Sequence, residues 1–163
     1  MKRILVVYHS LTGGSLQMAR AAAEGAGAEQ EVATRLLHAT EAGLADVLAA
    51  DAYIFVTPEN LGSMAGLLKD FFDRTYYVAL DKVNGRPYAT LICAGSDGRG
   101  AARQIERIVT GWRLKSIAEP LIVCTHAQSP EAILQTKSIG AADLASCAEV
   151  GAALAAGLVL GIF

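Results

Sequence analysis

The segment Ser10-Leu11-Thr12-Gly13-Gly14-Ser15 sets three hydroxyls and two glycines between an apolar run and an alanine-rich stretch. A loop of this kind makes an anion cradle. Glycines let backbone N–H groups converge, a following helix N-terminus adds partial positive charge, and hydroxyls donate without bringing a competing charge. The same composition also suits a plain strand-to-helix turn with a serine cap. Two further loops share its chemistry, Thr57-Pro58-Glu59-Asn60-Leu61-Gly62-Ser63 and Gly95-Ser96-Asp97-Gly98-Arg99-Gly100. The chain has neither G-x-x-x-x-G-K-[ST] for a triphosphate nor G-x-G-x-x-G for a dinucleotide, so a mononucleotide phosphate is the anion the first loop suits.

Apolar runs precede all three loops. Ile4 to Tyr8, Ala52 to Thr57 and Tyr88 to Ala94 read as strands buried on both faces, and Val32 to Leu37 and Leu121 to Thr125 as two weaker ones. Helical stripes alternate with them. Leu16, Ala19, Ala22, Ala23 and Ala26 form the first, which Gly25 and Gly27 are expected to end, and Gly43 to Ala50 forms a short second. The clearest helix starts near Met64 and carries Leu67, Leu68, Phe71, Phe72 and Thr75 on one face. Ala102, Ile105, Ile108, Val109 and Trp112 mark another, with Trp112 destined for the core or a subunit interface. At the C-terminus the uncharged run Val150 to Phe163 is shorter than the roughly twenty residues a spanning helix needs, and with Ala141, Leu144, Ala145 and Ala148 at helical spacing just upstream it reads as the last helix, packed on a sheet. Strand and helix alternating in this way predict one α/β domain over residues 1–163, a doubly wound five-stranded parallel sheet in a three-layer sandwich. Ligands of such sheets bind outside the carboxyl ends of the strands, where all three loops fall.

The first loop, with its H-S-L-T-G context, resembles the flavodoxin signature [ST]-x-T-G-x-[ST]. The second, T-P-E-N-L-G-S-M-A-G, resembles a segment shared by quinone reductases of the tryptophan-repressor-binding-protein type and by NAD(P)H-dependent FMN reductases. This resemblance implies a flavodoxin-like strand order 2-1-3-4-5 and a bound flavin mononucleotide (FMN). It assigns the phosphate to Ser10, Thr12, Gly13, Gly14 and Ser15, with Leu16 and Gln17 lending backbone donors. Pro58, Glu59, Asn60, Leu61 and Gly62 would then line the isoalloxazine ring, with Ser63 capping the next helix. Gly95, Ser96, Asp97 and Gly98 would wrap its pyrimidine edge, and Arg99 would stabilise the charge of reduced flavin. The implied activity is an NADH- or NADPH-dependent oxidoreductase acting on a quinone, flavin or similar small acceptor. An electron-transfer flavodoxin serving a protein partner is the alternative, and a flavin-binding regulatory module a third. Electron carriers of the flavodoxin kind usually sandwich the ring between aromatics and are strongly acidic. Here the second and third loops hold no aromatic residue and the net charge is -2, which favours the reductase. Asn60 stands where the FMN reductases have tyrosine, and their G-S-x-R loop is absent.

Other chemistry-bearing residues give weaker signals. His9, His38 and His126 lack the partners of a hydrolase triad, and no catalytic acid or base is assigned. Asp70, Asp73 and Asp81 show no metal spacing, and no metal is expected. Cys93, Cys124 and Cys147 form no CxxC pair, so Cys93 and Cys124 are expected as small core residues on neighbouring strands of a reduced, cytoplasmic protein. The small net charge argues against nucleic acid or an anionic membrane as partner. The expected partners are a small-molecule electron donor and acceptor, with a homo-oligomer as a further expectation.

Overall fold

A computed structural model describes residues 1–163. The apolar runs form the centre of one parallel sheet: β1 (Lys2–Tyr8), β2 (Val32–His38), β3 (Ala52–Asn60) and, after the two-residue β4 (Ser63–Met64), β5 (Pro87–Ala94). All eight residues of β5 are buried, as a strand covered on both faces requires. The order is β2-β1-β3-β5, and the fifth position is shared by β6 (Lys115–Ser116) and β7 (Leu121–Cys124), both parallel to β5. The order 2-1-3-4-5 therefore holds, with its last strand split. Residues 117–120, which include Pro120, fill the break; proline has no N–H to give a ladder.

Six helices cover the two faces: α1 (Gly14–Gly27), α2 (Leu44–Ala49), α3 (Gly66–Ala79), α4 (Arg99–Gly111), α5 (Pro130–Leu134) and α6 (Ala141–Leu160). Side chains alternate across the sheet, so Leu5, Val7, Tyr53 and Phe55 face a core with Phe71, Phe72 and Trp112 from α3 and the end of α4. Ile4, Val6, Ile54 and Val56 face the other core, with Met18 and Ala22 of α1 and Leu154 of α6. Trp112 is wholly buried and donates its indole N–H to the Tyr76 carbonyl at 3.0 Å, which makes it a core residue.

Four sequence expectations need correction. Gly25 does not end α1, which runs to Gly27. A Cβ on Gly25 would run into the Ala148 carbonyl of α6, and one on Gly151 of α6 into the Ala22 carbonyl of α1. These glycines let two helix backbones touch. Pro58 does not stop β3, which continues to Asn60 and turns into β4, with Asn60 opposite Ser63. Ser63 consequently lies in a strand; Ala65 occupies the cap position of α3, without a side-chain bond. Finally, α6 is longer than the uncharged run and has the length and composition of a membrane span, although 33% of its most apolar window is buried. Its inner side, with Cys147, Gly151, Leu154 and Leu158, packs on the sheet and α1.

Candidate functional site

At the carboxyl ends of β1, β3, β5 and β7 lies a cleft of about 480 Å³, within the usual range of small-ligand sites. Leu11 and Thr12 line it from the first loop, Pro58 to Gly62 from the second, and Gly95 and Ser96 from the third. The structure thus brings the three loops around one space. Asp97, Gly98 and Arg99 do not line it. Arg99 instead pairs with Asp97 at 2.6 Å on the exposed surface, a contact that raises its own pKa and lowers that of Asp97.

The first loop has the features an anion site needs. Gly13 adopts φ 95° and donates its N–H to Ser10 Oγ at 3.0 Å, which sets the turn into α1. No side chain caps α1, so the N–H groups of Gly14, Ser15 and Leu16 enter the helix without the partner a cap would give. Ser15 is 2% exposed, and its Oγ is one of two buried side-chain polar atoms in the chain without a hydrogen-bond partner. A buried hydroxyl left in this way costs stability unless a ligand completes it. A Cβ on Gly14 would lie 2.7 Å from Cys93 Sγ, so a side chain there would force the cysteine to move. These features fit a phosphate group.

The second loop is a two-residue hairpin with φ 52° at Leu61 and φ 73° at Gly62, the left-handed pair of a type I′ turn. Glycine suits that conformation and leucine does not. Leu61 is also fully exposed beside the cleft. A strained, exposed leucine has no structural benefit to offset it, which makes the position a candidate for a functional role. Glu59 lies between the second and third loops. One carboxylate oxygen accepts from Gly98 N–H at 3.0 Å and the other from Ala101 N–H at 3.1 Å, so Glu59 caps α4 and joins the two loops. Met64 N–H adds a bond to Gln104 of α4 at 2.9 Å.

The fourth wall was absent from the sequence reading. Cys93, Ala94, Thr125, Ala127, Ile133 and Lys137 complete the cleft, and Lys137 is the only cation lining it. The general rule that loops after parallel strands form the site applies to the fifth strand too and could have named the segment from Thr125. Lys137 has no carboxylate partner; its ammonium donates to the carbonyls of Ala132 and Ile133 at 2.8 Å and Gln135 at 2.6 Å. Burial pushes the Cys93 thiol pKa up, with nearby Lys137 opposing it, so this sulfur stays protonated. It faces Val123 and adjoins Cys124 across the β5–β7 pair, as expected of neighbouring strands.

The histidines do not enter the cleft. His9 Nδ1 and His38 Nε2 nonetheless meet at 3.0 Å at the carboxyl ends of β1 and β2, a pairing their separation in sequence does not reveal. Thr40 N–H donates to His38 Nδ1 at 3.3 Å, which leaves the His38 proton on Nε2 for His9. Exposed His126 has φ 58° and donates its N–H to Gly95.

Comparison with known proteins agrees with this architecture. The archaeal flavodoxin structure superposes with a TM-score of 0.79 at 19% identity, covering 96% of this chain and 99% of that one. A WrbA-like flavodoxin from Agrobacterium tumefaciens gives 0.75 at 20% identity, covering 98% and 99%. Among sequences, a protein named flavodoxin from Aquifex aeolicus is 33% identical over 100 residues, 61% of this chain and 54% of its own length. A protein named NAD(P)H dehydrogenase (quinone) from Acidithiobacillus ferrooxidans is 37% identical over 95 residues, 46% of this chain and 48% of its own length. The chain spans about half the length of these curated relatives. The family model described as NADPH-dependent FMN reductase matches residues 2–129. With a flavodoxin-like sheet and this match over most of its length, the chain belongs to the NADPH-dependent FMN reductase family.

Proposed function

We propose that the protein is an FMN-dependent oxidoreductase that takes electrons from NADH or NADPH and passes them to a quinone, flavin or similar small acceptor. The observation that carries this reading is a cleft joined to the phosphate cradle and lined by no aromatic side chain. Bound FMN would supply the two-electron chemistry, and the chain would supply binding, orientation and electrostatics. Ser10 holds the loop; Thr12 and Ser15 would donate to the phosphate, and Gly13, Gly14, Ser15 and Leu16 would present the helix end to it. Pro58, Asn60, Leu61 and Gly62 line one side of the cleft and would flank the ring, and Gly95 and Ser96 would meet its edge. Glu59 keeps those two loops at fixed spacing. Lys137 takes the cationic role expected of Arg99. Leu61 and Ile133 line the cleft as aliphatic side chains, which would shield less of the ring than stacked aromatics and would leave a face for donor and acceptor to alternate.

An electron carrier serving a protein partner is the second reading, favoured by similarity to the protein named flavodoxin. Two measurements decide. The visible spectrum of the purified protein is expected to show oxidised flavin, and mixing it with NADH or NADPH under argon is expected to bleach that flavin. A flavin that neither nicotinamide bleaches leaves the carrier standing, and a protein that takes up no FMN removes both readings.

A further inference from the structure

Gln17 sits one turn into α1 and its side-chain amide bonds only to backbone. Nε2 donates to the Gly13 carbonyl at 3.0 Å and to the Lys137 carbonyl at 2.8 Å, while Oε1 accepts from Ile139 N–H at 3.0 Å. The amide thus pairs with residues 137 and 139 as a neighbouring strand would. Lys137 N–H completes the seam by donating to the Thr12 carbonyl at 2.9 Å. A stretch more than a hundred residues away in sequence is thereby fastened to the phosphate loop.

That stretch, residues 135–140, contributes Lys137 to the fourth wall of the cleft. Lys137 lines the cleft and gathers three carbonyls at the end of α5 around its ammonium, and Ile133 of α5 lines the cleft as well. None of the residues of α5 is buried, so apolar packing does little to hold this helix. Its attachment runs through Lys137 to Gln17, helped by Ile139, which is buried beside Gly14.

We propose that Gln17 is a positioning residue that makes the first loop and the strap 135–140 with α5 one unit, so that filling the cradle steadies the strap and the docked strap in turn holds the cradle. The ligand part of this proposal rests on the FMN reading; the docking of the strap does not. Gly13 is the shared element, since its carbonyl takes both the backbone N–H and the side chain of Gln17 while its own N–H sets the turn at Ser10. Removing the amide releases the strap and frees the Gly13 carbonyl together.

The test compares the parent with Gln17→Leu, which keeps volume and loses all three bonds, and with Gln17→Glu. Without ligand, hydrogen exchange at the amides of Lys137, Ile139 and α5 is expected to speed up in Gln17→Leu while the strands keep their protection. FMN is expected to slow exchange across 130–139 in the parent and not in Gln17→Leu, whose Kd for FMN rises about tenfold. In Gln17→Glu the carboxylate still accepts from Ile139 but repels the two carbonyls until it is protonated. Its Kd relative to the parent's at the same pH should therefore fall from pH 8 to pH 5, a dependence that a space-filling role would not produce. Unchanged strap exchange in ligand-free Gln17→Leu, or equal FMN affinity in parent and Gln17→Leu, overturns the proposal. A parent that binds no FMN overturns the proposed function and the coupling, and the ligand-free exchange still decides the docking.

Discussion

Ser15 is a hydroxyl that the fold buries without giving it a partner, and it lies at the first turn of an uncapped helix. Ser15→Ala removes a donor to a charged ligand, worth about 1.5–3 kcal/mol of FMN affinity, while relieving a buried unsatisfied group in the free protein. Fluorescence titration should show weaker binding at a melting temperature equal to or above the parent's; a variant with both parental affinity and parental stability would place the phosphate elsewhere. The His9–His38 pair gives a second prediction, in pH. Burial first, and the charge of His38 second, hold the His9 pKa below its usual 6.5. Protonating His9 Nδ1 would also destroy the acceptor that His38 uses. Below pH 6.5 the unfolded chain therefore binds a proton that the folded one refuses, and stability falls with pH until folded His9 itself titrates. Urea midpoints taken from pH 7.5 to 5 should drop in the parent, and drop less in His9→Asn. Tyr8, Thr40 and Glu41 surround the pair, and the Glu41 carboxylate accepts from His38 N–H at 3.3 Å.

The α1–α6 pair shows what an element requires of its neighbours. Gly25 and Gly151 are each pressed against the opposite helix's backbone, and α1 delivers the phosphate loop at its N-terminus. Gly151→Ala must push the helices apart, so a loss of roughly 1–3 kcal/mol, or more, is expected in thermal or urea melts. Gly27→Ala, at a position with open space around it, should cost much less. The same glycines show where the sequence was and was not legible. β1, β3 and β5 could be read because a doubly covered strand must be apolar throughout, and α3 because its stripe holds the helical period. Gly25 could not, since a glycine that ends a helix and one that admits another helix look alike until the partner is known. The β4 hairpin is two residues long, and its turn places a leucine where asparagine or glycine is the usual signal. Loops one and two were legible by composition and by resemblance. Lys137 was not, because only folding brings it to Thr12 and Gln17 across more than a hundred residues.

At the scale of the molecule, two apolar cores share one sheet, and the cleft sits at the edge where loops from both sides meet. The first loop leads into α1 and one core, while the second and third lead to α3 and α4 and the other core. A ligand spanning the three loops therefore joins elements of both layers, and its binding free energy adds to the stability of the whole domain by mass action. At a free concentration one hundred times Kd, FMN should contribute about 2.7 kcal/mol. For a chain of this size each kcal/mol moves the melting temperature by roughly 2–4 °C, so a rise of roughly 5–10 °C is expected. Riboflavin carries the same ring without the phosphate and reaches the second and third loops only. At equal concentration it should raise the melting temperature far less, because the free N–H groups of α1 and the Ser15 hydroxyl gain nothing from it. Calorimetry with the two ligands makes the comparison directly. Equal shifts would mean that the cradle at Ser10 to Leu16 is idle and that the ring alone is recognised, in which case the anion site would have lost its ligand while the cleft kept one.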